Sequence, residues 1–181
     1  MSTATDATSG TQFAGSIGDL NEIRSRDPGR IMRLLAARRK RELLGPDGKL
    51  MIIACDHPAR GALSAAGKAM AMASRTDLLG RLVTALTRPG VDGLLATADI
   101  AEDLLMLGVL EEKLVFASMN RGGLQGSVFE MDDRNTGYDV RGTIDAGFEG
   151  AKMLLRIDLE DPGTVATLER CGQAVTDLNR A

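Results

Sequence analysis

The chain has 181 residues, 44% of them hydrophobic and 26% charged, with a net charge of −3. That is enough for one domain with a real core, and no basic field argues for a nucleic-acid partner. Aromatic residues make up 3%, with no Trp and one Tyr, which leaves little for base stacking, and no apolar run approaches the roughly 20 residues of a membrane span.

Two cysteines, Cys55 and Cys171, lie far apart, one in a predicted strand and one in a predicted helix. With neither a metal spacing nor a disulfide framework, they read as buried thiols in a reducing compartment. The N-terminus lacks a basic segment leading into an apolar one, so no secretion signal is indicated and the cytoplasm is the expected location.

Residues 1–15 are mainly Ser, Thr, Ala and Gly and are expected to form a disordered tail. Residues 16–48 read as an N-terminal helical extension. A short helix is predicted over Ser16–Arg26, then a second one with Asp27 as cap and Pro28 in the first helical position. The stripe of this second helix runs through Ile31, Leu34, Leu35, Leu43 and Leu44. Arg38-Arg39-Lys40-Arg41 is expected on its solvated face and last turn, where cations suit the helix dipole. A phosphate or nucleic-acid contact is the other reading of that cluster. Gly45-Pro46-Asp47-Gly48 is a turn.

Residues 49–181 alternate strand and helix. Strands are predicted over Leu50–Cys55, Val91–Thr97, Lys113–Met119 and Lys152–Asp158. Helices are predicted from a cap at Ser74 or Thr76, from Ala98-Asp99, over Asp139–Phe148 and over Thr164–Leu178. Gly61–Met72 reads as a loop or short helix, and Gln125–Gly137 as a long polar loop of the kind that carries function. Strict alternation implies a parallel sheet with right-handed crossovers. The spacing of the units fits a barrel or a doubly wound sheet.

The ionisable residues gather at strand ends. The apolar run Leu50–Cys55 stops at Asp56-His57-Pro58-Ala59-Arg60, and the C-terminal ends of strands are where α/β folds place their chemistry. The plain alternative is a strand followed by a polar turn. In the fourth predicted strand one face carries Lys152, Leu154, Arg156 and Asp158, the other Met153, Leu155 and Ile157. Helices cover both faces of a doubly wound strand, so three charges on one face suit either a barrel strand or an edge strand with a solvated face. Asp56, Lys152 and Arg156 together suit a phosphorylated carbonyl substrate, with arginine on phosphate and lysine and carboxylate moving protons. His57 is the single histidine, whereas a metal site usually draws on several converging ligands. No metal and no cofactor are therefore expected. Gly122, Gly123 and Gly126 could cradle phosphate or merely loosen a loop, and Asp132-Asp133-Arg134 reads as a solvated loop or a contact with substrate or a neighbouring subunit.

These stretches resemble the class I aldolases of the archaeal-type fructose-bisphosphate and tagatose-bisphosphate aldolase group. The likeness is carried by Asp56-His57 ending the first strand and by Lys152-Met153-Leu154-Leu155 leading to Asp158. The chain is more closely similar to actinobacterial aldolase-like (β/α)8 proteins encoded with inositol catabolism genes, through Cys55–Gly61, Met119–Gly123, Asp132–Tyr138 and Lys152–Asp161. The resemblance implies a TIM (β/α)8 barrel, of which residues 49–181 would supply strands 1–4, the N-terminal half. It implies carbon–carbon cleavage of a phosphorylated keto-sugar or sugar acid, a 5-dehydro-2-deoxygluconate phosphate in the inositol pathway. Asp56 and Lys152 would be catalytic, while His57, Arg60, Asn120, Arg121, Arg156 and Asp158 would bind substrate. The family's Schiff-base lysine, on strand six, would fall beyond Ala181, and Lys152 matches the accessory lysine of strand four. The partner is then a small phosphorylated sugar, and assembly of identical chains is expected. The alternative is a non-catalytic half-barrel, a fragment or binding and assembly module, whose two open parallel edges would leave it unstable or paired with another half.

Overall fold

A computed structural model describes residues 16–120 and 135–181. The tail expected over 1–15 lies outside the described residues, as do Arg121, the Gly122-Gly123 pair, Gly126 and Asp132-Asp133-Arg134. A 3-10 turn over Ile17–Asp19 leads into α1 (Leu20–Arg26) and then α2 (Arg30–Ala37). Ser16 closes the first turn: its backbone N–H and its hydroxyl both donate to Asp19 Oδ2, at 2.9 and 2.8 Å.

The second helix is shorter than predicted at both ends: it starts at Arg30 with Gly29 rather than Asp27 in the cap position, so Pro28 falls in the turn before it. It ends at Ala37, and Arg38 turns to extended backbone. Arg38 does not lie on a solvated face. Its side chain is fully buried, ion-paired to Glu149 at 2.6 Å and donating to the carbonyls of Lys113 and Gly147 at 2.7 and 3.0 Å. Reaching those acceptors pulls the chain out of the helix, and Leu43 and Leu44 are left exposed.

The remaining elements are β1 (Ile52–Cys55), α3 (Arg75–Leu86), β2 (Gly93–Ala96), α4 (Ala98–Met106), β3 (Leu114–Ser118), α5 (Val140–Asp145), β4 (Gly150–Lys152) and α6 (Gly163–Leu178). Ser74 caps α3 by accepting from the Asp77 N–H at 3.3 Å, and Asp139 caps α5 by accepting from the Gly142 N–H at 2.6 Å. The four strands form one parallel sheet in the order β1-β2-β3-β4. The order follows the chain without reversing, unlike the switch-point order of a doubly wound sheet.

Alternation along each strand gives the sheet two different faces. Cys55, Leu94, Ala96 and Val115 point to the helix side, where they join the core with Leu79, Leu82 and Leu86 of α3 and Ile100, Leu104 and Leu105 of α4. The opposite face carries Ala54, which is exposed, and Leu95 and Phe116, which are half-buried. Two glycines there permit close packing. A Cβ on Gly93 would meet the Leu114 carbonyl oxygen at 2.3 Å, and one on Gly150 would meet the Phe116 ring at 2.8 Å.

The fourth strand departs from its prediction. It begins at Gly150 and leaves the ladder after Lys152, so Leu154, Arg156 and Asp158 do not share a strand face. The described sheet gives β4 a neighbour on one side only, and the backbone of Leu154 is held by a side chain instead. Asn120 Nδ2 donates to the Leu154 carbonyl at 2.9 Å, and the Leu154 N–H donates to Asn120 Oδ1 at 2.8 Å. Among the described residues no helix is long and apolar enough to cross a membrane.

Candidate functional site

The strand register fixes what meets at the C-terminal end of the sheet. Ala96 pairs with Ala117 and Ser118 with Lys152, while Cys55 pairs with Ala96. One step further along β1 and β2, Asp56 and Thr97 fall level with Ser118 and Lys152. The row Asp56, Thr97, Ser118, Lys152 is polar throughout and lies on the face away from the helices. Asp56, Thr97 and Ser118 each follow an apolar run that ends there, while Lys152 follows the short, half-buried Gly150-Ala151.

Asp56 and Lys152 close this row. Lys152 Nζ donates to Asp56 Oδ2 at 2.7 Å, although β1 and β4 are the two outer strands. Three strand spacings in a flat sheet would hold their backbones about 14 Å apart. The contact therefore needs a sheet that curls toward its polar row, with the two side chains reaching across the hollow. Asp56 is nearly buried, while the Lys152 side chain is 30% exposed.

Every oxygen of Asp56 has a neighbour. Ser118 Oγ donates to Oδ2 over a long 3.4 Å, and His57 Nδ1 lies 3.3 Å from Oδ1. Burial pushes the Asp56 carboxyl up, but the hydrogen bond and charge of Lys152, with the nearby imidazole, outweigh it and leave the carboxyl below its ordinary value. Asp56 is thus an ionised acceptor bridging an exposed imidazole and a partly buried ammonium. Beneath it, burial and then the Asp56 charge push the Cys55 thiol up to about 11, which makes it a packing group rather than a nucleophile.

The other sequence-predicted positions are less concentrated. Arg60 ends a 3-10 turn over Pro58–Arg60, half-buried and, among the described residues, in no ion pair. Asn120 is buried at the end of β3, with its carboxamide spent on the Leu154 backbone. It positions the chain after Lys152 rather than facing the hollow with a free amide. Arg156 lies beyond β4. Asp158 is exposed and caps a turn, its Oδ1 accepting from the Glu160 N–H at 3.0 Å, so it does not join the Asp56–Lys152 row. Arg121 lies outside the described residues. Among those that are described, no group of three or more His, Cys, Asp and Glu could hold a metal ion.

Sequence reasoning passed over Ser118 and Thr97. The one sequence signal was that each is a polar residue closing an apolar strand; that they stand level with Asp56 and Lys152 comes from the register. Thr97 turns its hydroxyl to its own helix, donating to Asp99 Oδ1 at 2.6 Å. Ser118 is therefore the added member that touches Asp56.

No curated protein matches the chain. A solved structure does: Cgl0159 from Corynebacterium glutamicum (Brevibacterium flavum) is 52% identical, with a TM-score of 0.85. The match covers 90% of this chain and 55% of that one, so the chain spans just over half the length of this relative. The Cgl0159-like family itself matches residues 48–181, from the turn before β1 to the last residue of the chain. The chain belongs to the Cgl0159-like family.

Proposed function

We propose that residues 49–181 are the first four βα units of a (β/α)8 barrel whose site cleaves a carbon–carbon bond in a phosphorylated keto-sugar or sugar acid. The observation that carries the reading is the 2.7 Å contact between Asp56 and Lys152 across the C-terminal mouth of a four-stranded parallel sheet. A sequential, curled parallel sheet with its polar row at that end is the arrangement on which barrel enzymes build their sites.

In this reading a lysine of the completing half attacks the substrate ketone and water leaves as the imine forms. The scissile bond then breaks, its electron pair passing into the protonated imine to give an enamine, while the hydroxyl on the departing carbon loses its proton. Asp56, ionised and facing the hollow, is the group to accept that proton. The weak Ser118 bond to Oδ2 is the one a substrate hydroxyl replaces. Lys152, paired with a carboxylate, acts as an ammonium that holds substrate oxygen and returns a proton, not as the imine-forming amine. Protonation of the enamine and hydrolysis of the imine restore the enzyme. An inositol-derived 2-deoxy-5-keto-gluconate phosphate has the required ketone, hydroxyl and phosphate.

The test completes the barrel by fusing residues 1–181 to the part of the Corynebacterium glutamicum chain outside the match, and assays cleavage of phosphorylated ketoses and keto-aldonates. Asp56→Asn and Lys152→Met should each lower kcat/KM at least 100-fold. Unchanged turnover in both variants would exclude Asp56 and Lys152 from the chemistry.

A further inference from the structure

The exposed large apolar side chains are not scattered. Leu155, Ile157 and Leu159 lie just after β4, and Val165, Leu168 and Val175 line one side of α6, all 39–91% exposed. Leu50 and Met51, just before β1 at the other edge, are 36% and 55% exposed, and Leu43 and Leu44 in the segment leading to them are 49% and 54% exposed. Helix α6 turns Thr164, Thr167 and Ala174 inward and this apolar side outward, the reverse of a helix whose packing is complete. Surface of this kind marks an interface.

The irregular backbone coincides with the same edge. The alternation from Lys152 to Asp158 predicts a strand, yet the ladder stops at Lys152. Among the described residues the Asn120 side chain imitates the next rung, with two hydrogen bonds to the Leu154 backbone. Among the described residues, a sequence suited to a strand has a neighbour on one side only and lacks the second ladder that would hold it extended.

From these observations we infer that both edges form one docking surface, filled by the portion of a Cgl0159-like chain that lies outside the match with the solved relative. Docking draws Met153–Ile157 into the sheet as the continuation of β4. The occupant has the right extent, since the match leaves just under half of that relative uncovered. Its strands pair in parallel with the open sides of β4 and β1, and its helices cover the apolar sides left bare. Once extended, Leu154 and Arg156 take the parity of Lys152 and face the hollow, while Met153, Leu155 and Ile157 face helices. The inference rests on the barrel reading above and adds a coupled event: the strand that carries Lys152 is completed by the partner half.

Hydrogen exchange read by mass spectrometry tests this. Residues 1–181 are measured alone and with the separately expressed remainder of the Corynebacterium glutamicum protein; if either half aggregates alone, the two are co-expressed and purified together. A one-to-one complex is expected, with exchange at 153–157 slowed at least tenfold. Leu168→Glu combined with Val175→Glu should abolish the complex, while Met32→Glu, on α2 and outside both strips, should not. Failure to associate in either format overturns the inference, as does a complex in which 153–157 exchange as before. So does equal protection in a dimer of residues 1–181 alone, which would make a second copy the occupant. A protected complex without aldol cleavage would sink the proposed activity and leave the interface standing.

Discussion

Asp56 takes three neighbours on two oxygens, and its ionised state depends mostly on one of them, Lys152. Replacing Lys152 by Met leaves a nearly buried carboxylate without its cation. The expected cost is about 2 kcal/mol in a urea unfolding curve, below that of a fully buried pair because the lysine is partly exposed. The carboxyl is depressed in the fold, so its contribution is present above its unfolded value near pH 4 and is lost as pH falls through the lower folded value. Stability curves of wild type and Asp56→Asn should therefore run parallel at neutral pH and converge on acidification. Curves that stay parallel down to the acid transition would contradict the pairing. Gly93 gives a second check at this scale. A methyl there would meet a carbonyl oxygen of the next strand at 2.3 Å, so Gly93→Ala should cost about 3 kcal/mol in thermal or urea unfolding. Asp56 could be picked out from sequence because it closes an apolar run, and Lys152 because it shares one face of the expected strand Lys152–Asp158 with Arg156 and Asp158, although the structure ends the strand at Lys152 instead of starting it there. That Ser118 shares their level could not, since register between strands distant in sequence is fixed by packing.

Among the elements, α3, α4, α5 and α6 were legible from caps and stripes, but the second helix was misplaced at both ends. The second helix ends early because Arg38 is drawn into a buried set of Glu149 and two carbonyls. Nothing local distinguishes that arginine from Arg39. Glu149 in turn accepts from the Val115 N–H at 2.7 Å, so the ion pair ties the extension to the start of both β3 and β4. Arg38→Met is expected to cost about 3 kcal/mol by urea denaturation, more than Arg39→Met, whose side chain is two-thirds exposed. A similar knot joins three helices. Asp103 of α4, nearly buried, accepts from Arg24 of α1 at 2.7 Å and from Arg75 of α3 at 2.6 Å. Asp103→Asn leaves two guanidinium groups short of charge, and α1 should become the first segment to gain exchange in hydrogen–deuterium measurements. The fourth strand was placed too late, over Lys152–Asp158 instead of Gly150–Lys152, because alternation reports what a strand could pair with, not whether the neighbour is there.

At the scale of the molecule, alternation of strand and helix sufficed to read a parallel α/β sheet. Its sequential order and curl emerge only from the register and from the Asp56–Lys152 contact. Together they describe a hollow lined by Leu95, Phe116 and a polar row at the rim, open along two apolar edges. The proposed chemistry requires that hollow to be closed and supplied with an amine. The most direct measurement is borohydride trapping on the completed barrel, with a phosphorylated 2-deoxy-keto-aldonate as substrate and peptide mass spectrometry as readout. The expected result is a reduced adduct on a lysine of the completing half, with Lys152 unmodified and the yield falling in Asp56→Asn. Turnover without any trapped adduct, or an adduct on Lys152 itself, would contradict the proposed division of roles.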